Sequence, residues 1–186
     1  MNLNKLRDQI HANAASKGFW DNNPSDQHFL MLVITELSEA VEADRKGRRA
    51  SKEAMVETIE VGGFCIGFFE EYIKDTIEDE LADAFIRLLD LFGAREVYLN
   101  ENAFDLETIE EYAVTYQGKS FTESVYHITK FICSCIAPIW RSAIAPEMIL
   151  LDILGFAKHL NIDLMWHVEQ KMKYNQYRIR MHGKKY

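Results

Sequence analysis

Two pairs of acids and one run of bases are the residues of this chain whose types and spacing could do chemistry. Glu36 and Glu39 stand in the segment ITELSEAVEADRKG, and Glu80 and Asp83 in EDELADAFIRLLDL. Residues three apart on a helix are neighbours on one face, with Cβ atoms roughly 5–6 Å apart, so each segment offers one carboxylate pair. Two such pairs facing one another would surround a small volume with four carboxylates, an oxygen-only donor set suited to a hard cation such as Mg²⁺ or Mn²⁺. Toward the other end, Lys171, Asn175, Arg178 and His182 follow spacings of four, three and four. On one continuous helix they share a face, where two cations and an amide could grip a phosphate chain and a sugar or base. Lys184 and Lys185 extend the basic run.

Each feature also has an ordinary reading. An E-x-x-E on a helix is commonly a solvated, salt-bridged face, and cations in a last helical turn commonly offset the macrodipole. The neighbours decide the matter for the acids. Turning by ~100° per residue, the segment 30–41 places Leu30, Val33, Ile34, Leu37 and Val41 on one stripe, while Glu36 and Glu39 share another with Phe29, Leu32, Ala40 and Ala43. In the second segment Leu81, Ala82, Phe85, Ile86, Leu88, Leu89 and Phe92 cover most of the circumference, and Thr76, Glu80, Asp83, Arg87 and Asp90 form the one polar stripe left. Acids on a narrow strip of a mostly buried helix must be paired or metal-bound, because an isolated buried charge is very costly. Arg87 is placed to tie Asp83 or Asp90. No Glu-x-x-His of the di-iron bundle type occurs, which disfavours a di-metal redox carrier, and His127, His159 and His167 sit in apolar helical segments as structural residues.

The elements that must position these groups are helices. With 186 residues, 48% apolar and 27% charged, the chain suits one globular domain, and three prolines and nine glycines are too few for a many-stranded sandwich or barrel. Apolar spacing predicts a helix over 3–17 closed by Gly18, a second capped by Asn23 or Ser25 and running to about Lys46, and a third over 51–61. The stretch FCIGFF is compatible with a helix end, a buried turn or a strand. A strongly helical stretch then runs from Glu70 or Asp75 to Phe92, with Gly93 closing it. Leu106 to Ala113 reads as a short helix, and Ser120-Phe-Thr-Glu123 as a capping box opening a helix to about Ile136. Pro146 suits the first turn of a helix to Leu160, and Asp163 caps a last one to about His182. These segments read as an all-α bundle in a single domain over 1–186.

Charge and cysteine use narrow the function classes. The 21 basic and 29 acidic residues give −8, which argues against binding the phosphate backbone of a nucleic-acid polymer. Six bases and no acid lie in 171–186, leaving 15 bases against 29 acids, −14, on residues 1–170. An acidic body and a basic tail could together hold a metal and a polyanionic small molecule. Three cysteines imply no disulfide framework, and neither a secretory leader nor an uninterrupted span of ~18 apolar residues is seen. A soluble cytoplasmic protein is the expectation.

In these residues the chain resembles the MazG-like, all-α nucleoside triphosphate pyrophosphohydrolases. The resemblance rests on the paired E-x-x-E and E-x-x-D helices, on GFWD ahead of the first of them, and on the closing KMKYNQYRIRMHGKKY. It covers residues 17–48, 70–92 and 163–186. Two departures stand out: 40 residues separate Glu39 from Glu80, a longer spacer than the family usually has, and residues 94–160 look like an inserted or added helical segment. The resemblance implies a four-helix metal-binding core with Mg²⁺, or Mn²⁺, held by Glu36, Glu39, Glu80 and Asp83. It implies hydrolysis of an NTP or dNTP to the monophosphate and pyrophosphate, a nucleotide-pool house-cleaning chemistry, by a homodimer or higher homo-oligomer. Lys171, Asn175, Arg178, Lys184 and Lys185 would face the substrate. Trp20 would either stack on the base or staple the linker to the core. The competing class is a non-catalytic helical module that keeps a structural cation or a protein partner, a role with no use for Lys171, Asn175 and Arg178.

Overall fold

Local capping chemistry sets most helix starts. Ser25 accepts a hydrogen bond from the His28 N–H (3.2 Å) and opens α2, Asp26–Arg45. Thr76 does the same for the Asp79 N–H (3.3 Å) at the head of α5, Ile77–Ala94, whose first turn carries Glu78, Asp79 and Glu80 where the macrodipole favours anions. The full capping box of Ser120 and Glu123 opens α7, Phe121–Cys133, Pro146 occupies the first turn of α8, Pro146–His159, and Asp163 caps α9, Leu164–Tyr177. The remaining helices are α1, Leu3–Ser16, α3, Lys52–Gly62, α4, Ile66–Tyr72, and α6, Leu106–Val114. The computed structural model describes residues 2–134 and 145–183, and among them regular structure is entirely helical, with nine α-helices and no strand. Cys135, Ile136, Pro138, Lys184 and Lys185 lie outside the described residues. No helix among the described residues is long and apolar enough to cross a membrane.

Eight of these nine α-helices fall on the expected segments, and the ninth arises because FCIGFF resolves into a turn and a helix. Gly63, with φ +79°, ends α3, Cys65 is extended, and α4 begins at Ile66. What fixes α4 is tertiary: Phe69 is buried and stacks on Tyr174 of α9 (4.5 Å between centroids), and with Met55 and Ile73 they form a small second core.

The main core is organised around α5. Leu81, Ala82, Ala84, Phe85, Leu88, Leu89, Leu91 and Phe92 are all buried, and α5 packs against α1, α2, α8 and α9. Each fully buried Leu or Phe contributes about 1.5–3 kcal/mol, and Phe85→Ala should cost about 3–5 kcal/mol. The segment 94–160 shares this core: Tyr116, Val125, Ile128, Ile132 and the apolar side of α8 join the cluster that includes Leu3, Val33 and Val168.

Two expected helix ends move. Gly93 does not close α5 but lies inside its last turn, where a Cβ would come within 2.6 Å of His11 Cβ and 3.2 Å of the Arg7 carbonyl oxygen. The residue is glycine because α1 crosses α5 there. The last helix stops at Tyr177 rather than near His182, since Arg178 is extended (φ −73°, ψ 148°) and the chain folds back into a short 3-10 turn, Arg180–Gly183. That return is tied to the end of α1: the Met181 N–H donates to the Lys17 carbonyl (2.8 Å), and Lys17 Nζ donates to the carbonyls of Gln176 and Arg178 (3.0 and 2.7 Å).

Candidate functional site

The central acids come together where α2 crosses α5. Glu36 from α2 and Glu80 and Asp83 from α5 place one carboxylate oxygen each within 4.8 Å of the others, with both glutamates buried. Glu39, on the next turn of α2, is exposed and stands outside this group of three.

Two cations thread the cluster. Arg87 Nε donates to Glu36 Oε1, a closer and different partner than the Asp83 or Asp90 expected from the α5 stripe. The expectation failed because it considered only neighbours on α5, and α2 supplies the nearer acid. Lys171 of α9 is buried, with Nζ 2.7 Å from Asp79 Oδ1 and 2.8 Å from Asp83 Oδ2. Its Nζ lies over the rings of Phe69 and Tyr174, 5.6 and 5.8 Å from their centres.

The electrostatics follow from burial and crowding. Burial, then the charges of Asp79 and Asp83, push Glu80 up to about 9. Burial and Asp83 also raise Glu36 against the pull of Arg87. Asp79 is raised by burial to about 6, with Lys171 opposing. Burial works against charge on Lys171, but Asp79 and Asp83 outweigh it and hold the ammonium above its ordinary range. The acids thus carry more negative charge than two cations offset, and Glu80 takes up a proton at neutral pH.

Beside the acids lies a cavity of about 390 Å³ between α1, α5, α9 and the returning chain. Asp83, Arg87 and Asp90 form its charged end, Ile86, Ile10 and Met172 give apolar wall, and Asn13, Asn175, Gln176, Arg178 and His182 give polar wall. Arg178 and His182 reach it although they stand beyond the helix, because the chain reverses after Tyr177; Arg178 Nη2 donates to the His182 carbonyl (3.4 Å). Burial, then Arg178, push His182 down to about 3, so its ring is neutral. Asn175 Oδ1 and His182 Nε2 are buried without a hydrogen-bond partner among the described residues.

Trp20 does not line this cavity. Its ring stacks on Phe29 (4.1 Å, 9°), Arg95 lies 5.3 Å from its centre, and its Nε1–H donates to Asp90 Oδ1 (2.9 Å), the same oxygen that His11 Nδ1 approaches at 2.9 Å. This is the staple alternative. The aromatic ring at the cavity wall is that of Phe19, edge-on to His182 (5.0 Å).

Sequence reasoning missed Asp79 and the α1 amides. The acidic triplet 78–80, with Asp79 four residues before Asp83, was a signal for the first. Gln9 and Asn13 share a face of α1 at i, i+4 and line the cavity, but nothing local distinguishes them from surface amides. No family model matches the chain, and no curated protein and no solved structure matches it.

Proposed function

We propose that this chain is a Mg²⁺-dependent nucleoside triphosphate pyrophosphohydrolase of the MazG-like kind, cleaving an NTP or dNTP with water to the monophosphate and pyrophosphate. The observation that carries this reading is the double membership of Asp83. Its carboxylate belongs to the cluster with Glu36 and Glu80 and also lines the cavity that holds Asn175 and Arg178. A cation site and a polyanion-gripping wall therefore meet at one residue.

The donor set fits a hard dication. Three carboxylates within 4.8 Å suit Mg²⁺ or Mn²⁺, and Glu36 and Glu80, raised first by burial and then by neighbouring carboxylates, are groups whose charged forms such an ion would favour. Glu36, Glu80 and Asp83 would hold it, with Glu39 one turn further along α2 and outside the donor set. A dication there supplies charge neutralisation for the triphosphate and for the charge that develops as water adds at the α-phosphorus. Glu39, the carboxylate that stays in water, takes the proton of the attacking water at its Oε. Arg178 stabilises phosphate oxygens, Asn175 Oδ1 accepts from a donor on the sugar or base, and Phe19 offers the base an apolar ring. Lys171 acts on the substrate through Asp83 rather than by direct grip.

Self-association belongs to the same reading. Val61, 93% exposed, with Ile66, Phe68 and Tyr177 leaves large apolar side chains in water around the α3–α4 hairpin, the kind of surface a second copy covers.

The test is a panel of ribo- and deoxynucleoside triphosphates with Mg²⁺, assayed separately for pyrophosphate and free phosphate. Cation-dependent pyrophosphate release is expected. Stepwise release of single phosphates, or undiminished activity in a chelator, would refute the reading.

A further inference from the structure

Asp79 lies beside the carboxylate cluster without belonging to it, because both of its oxygens are engaged. Oδ2 accepts the Asp75 N–H (3.1 Å) and Oδ1 accepts Lys171 Nζ (2.7 Å). The side chain is 1% exposed and is held in the first turn of α5 by the Thr76 cap. Lys171, 5% exposed, is fixed from the other side by Phe69 and Tyr174. Its ammonium is therefore a stationary charge between two carboxylates, one structural and one facing the cavity.

We propose that Asp79 is a positioning residue: by sharing the Lys171 ammonium it keeps Asp83 from being fully neutralised, and so leaves Asp83 able to bind a divalent cation. This rests on the assignment of Glu36, Glu80 and Asp83 as cation ligands.

The physical argument concerns competition. A lysine ammonium 2.8 Å from Asp83 occupies the electrostatic place that a cation must take and repels a dication brought to the same carboxylate. With Asp79 present, the ammonium has a second anion at 2.7 Å, so Asp83 can turn toward a dication without stranding a buried charge. Without Asp79, Asp83 is the only carboxylate hydrogen-bonded to Lys171, and releasing it would leave the ammonium buried alone.

The contrast between Asp79 acting through Lys171 and acting by its own charge is measurable as a double-mutant cycle. The probe is Mn²⁺ alone, titrated without nucleotide into the full chain at neutral pH and followed by the electron paramagnetic resonance signal of the free ion. Asp79→Asn should bind Mn²⁺ about tenfold more weakly than wild type, and Lys171→Met about tenfold more tightly. Asp79→Asn combined with Lys171→Met should match Lys171→Met to within about twofold, because the residue that Asp79 restrains is gone. Circular dichroism on each variant establishes that it is folded. Should Lys171→Met alone fail to fold, the double variant, which removes the Asp79 charge together with the ammonium and leaves only the partly exposed Asp83 without its partner, must still bind at least about tenfold more tightly than Asp79→Asn. If the two substitutions instead add, Asp79 acts by its own charge and the inference is wrong, while wild-type binding leaves the cation site standing. If wild type binds no Mn²⁺ at millimolar concentration, both the inference and the cation reading fail.

Discussion

Arg87→Met tests whether Glu36 is held by a buried ion pair in a crowded acid cluster. The wild-type side chains are 3% exposed for Glu36 and 19% for Arg87. Removing one partner of such a pair costs about 3–5 kcal/mol when the other stays charged, and methionine keeps most of the apolar stem. For a chain of this size about 1 kcal/mol moves the melting temperature by about 2–4 °C, so a fall of about 6–20 °C is expected near pH 8. The loss should depend on pH in a definite direction. Glu36 is already raised above its ordinary 4.5 by burial and Asp83, and Arg87 is what pulls it back. Without Arg87 it rises further, so between 4.5 and the new value the folded state binds more protons than the unfolded one. Stability then falls as pH climbs through that window. Lowering the pH through that window toward 4.5 protonates Glu36 in the fold, and part of the loss should return. Thermal melting by circular dichroism at both pH values, against wild type, reads this out. An equal loss at both would show that the cost is packing and not charge, and Mg²⁺ at pH 8 should recover part of the loss if the acids bind it.

Metal-free wild type should lose stability as pH rises from 4.5 through about 9, because folded Glu80 keeps a proton that the unfolded chain releases, and Glu80→Gln should flatten that slope in melting curves. His167, buried and pushed down to about 4, works the other way: stability should drop as pH falls from 6.5 toward 4, and His167→Gln should remove part of that drop. Gly93→Ala should cost about 1–3 kcal/mol by forcing α1 away from α5 in urea unfolding, whereas Gly47→Ala, with open space around it but φ +64°, should cost through backbone strain alone. Val61→Asp should shift the mass measured by light scattering at micromolar concentration toward the monomer, and a monomeric wild type would contradict the self-association reading.

What could be read from the residues was what depends on near neighbours. The caps at Ser25, Ser120 and Asp163 and the proline of α8 are satisfied within four residues, so helix starts were legible. The pairing of Glu36 with Glu80 and Asp83 was also legible, because acids on a helix otherwise apolar all round have to meet something. Which atoms meet depends on how α9 is rotated against α5, and no local spacing encodes that. Lys171 therefore looked like a residue facing a substrate, whereas it is buried on Asp79 and Asp83. Glu39, on the same E-x-x-E motif as Glu36, stays in water because only one of the two points at α5. The end of α9 was misplaced for a similar reason: bonds to Lys17, far away in sequence, turn the chain after Tyr177.

The saturation of α5 limits where ligand preference can be altered. On this helix Asp83 and Arg87 face the cavity while also bonding Lys171 and Glu36, and Asp90 is bonded to Trp20, so none can be exchanged for selectivity without breaking something else. Gln9 and Asn13 of α1 and Gln176 of α9 reach the same cavity without a role in those ion pairs. A library meant to redirect specificity belongs on these three amides, and divergent relatives of this chain should differ there while their α5 residues stay constant.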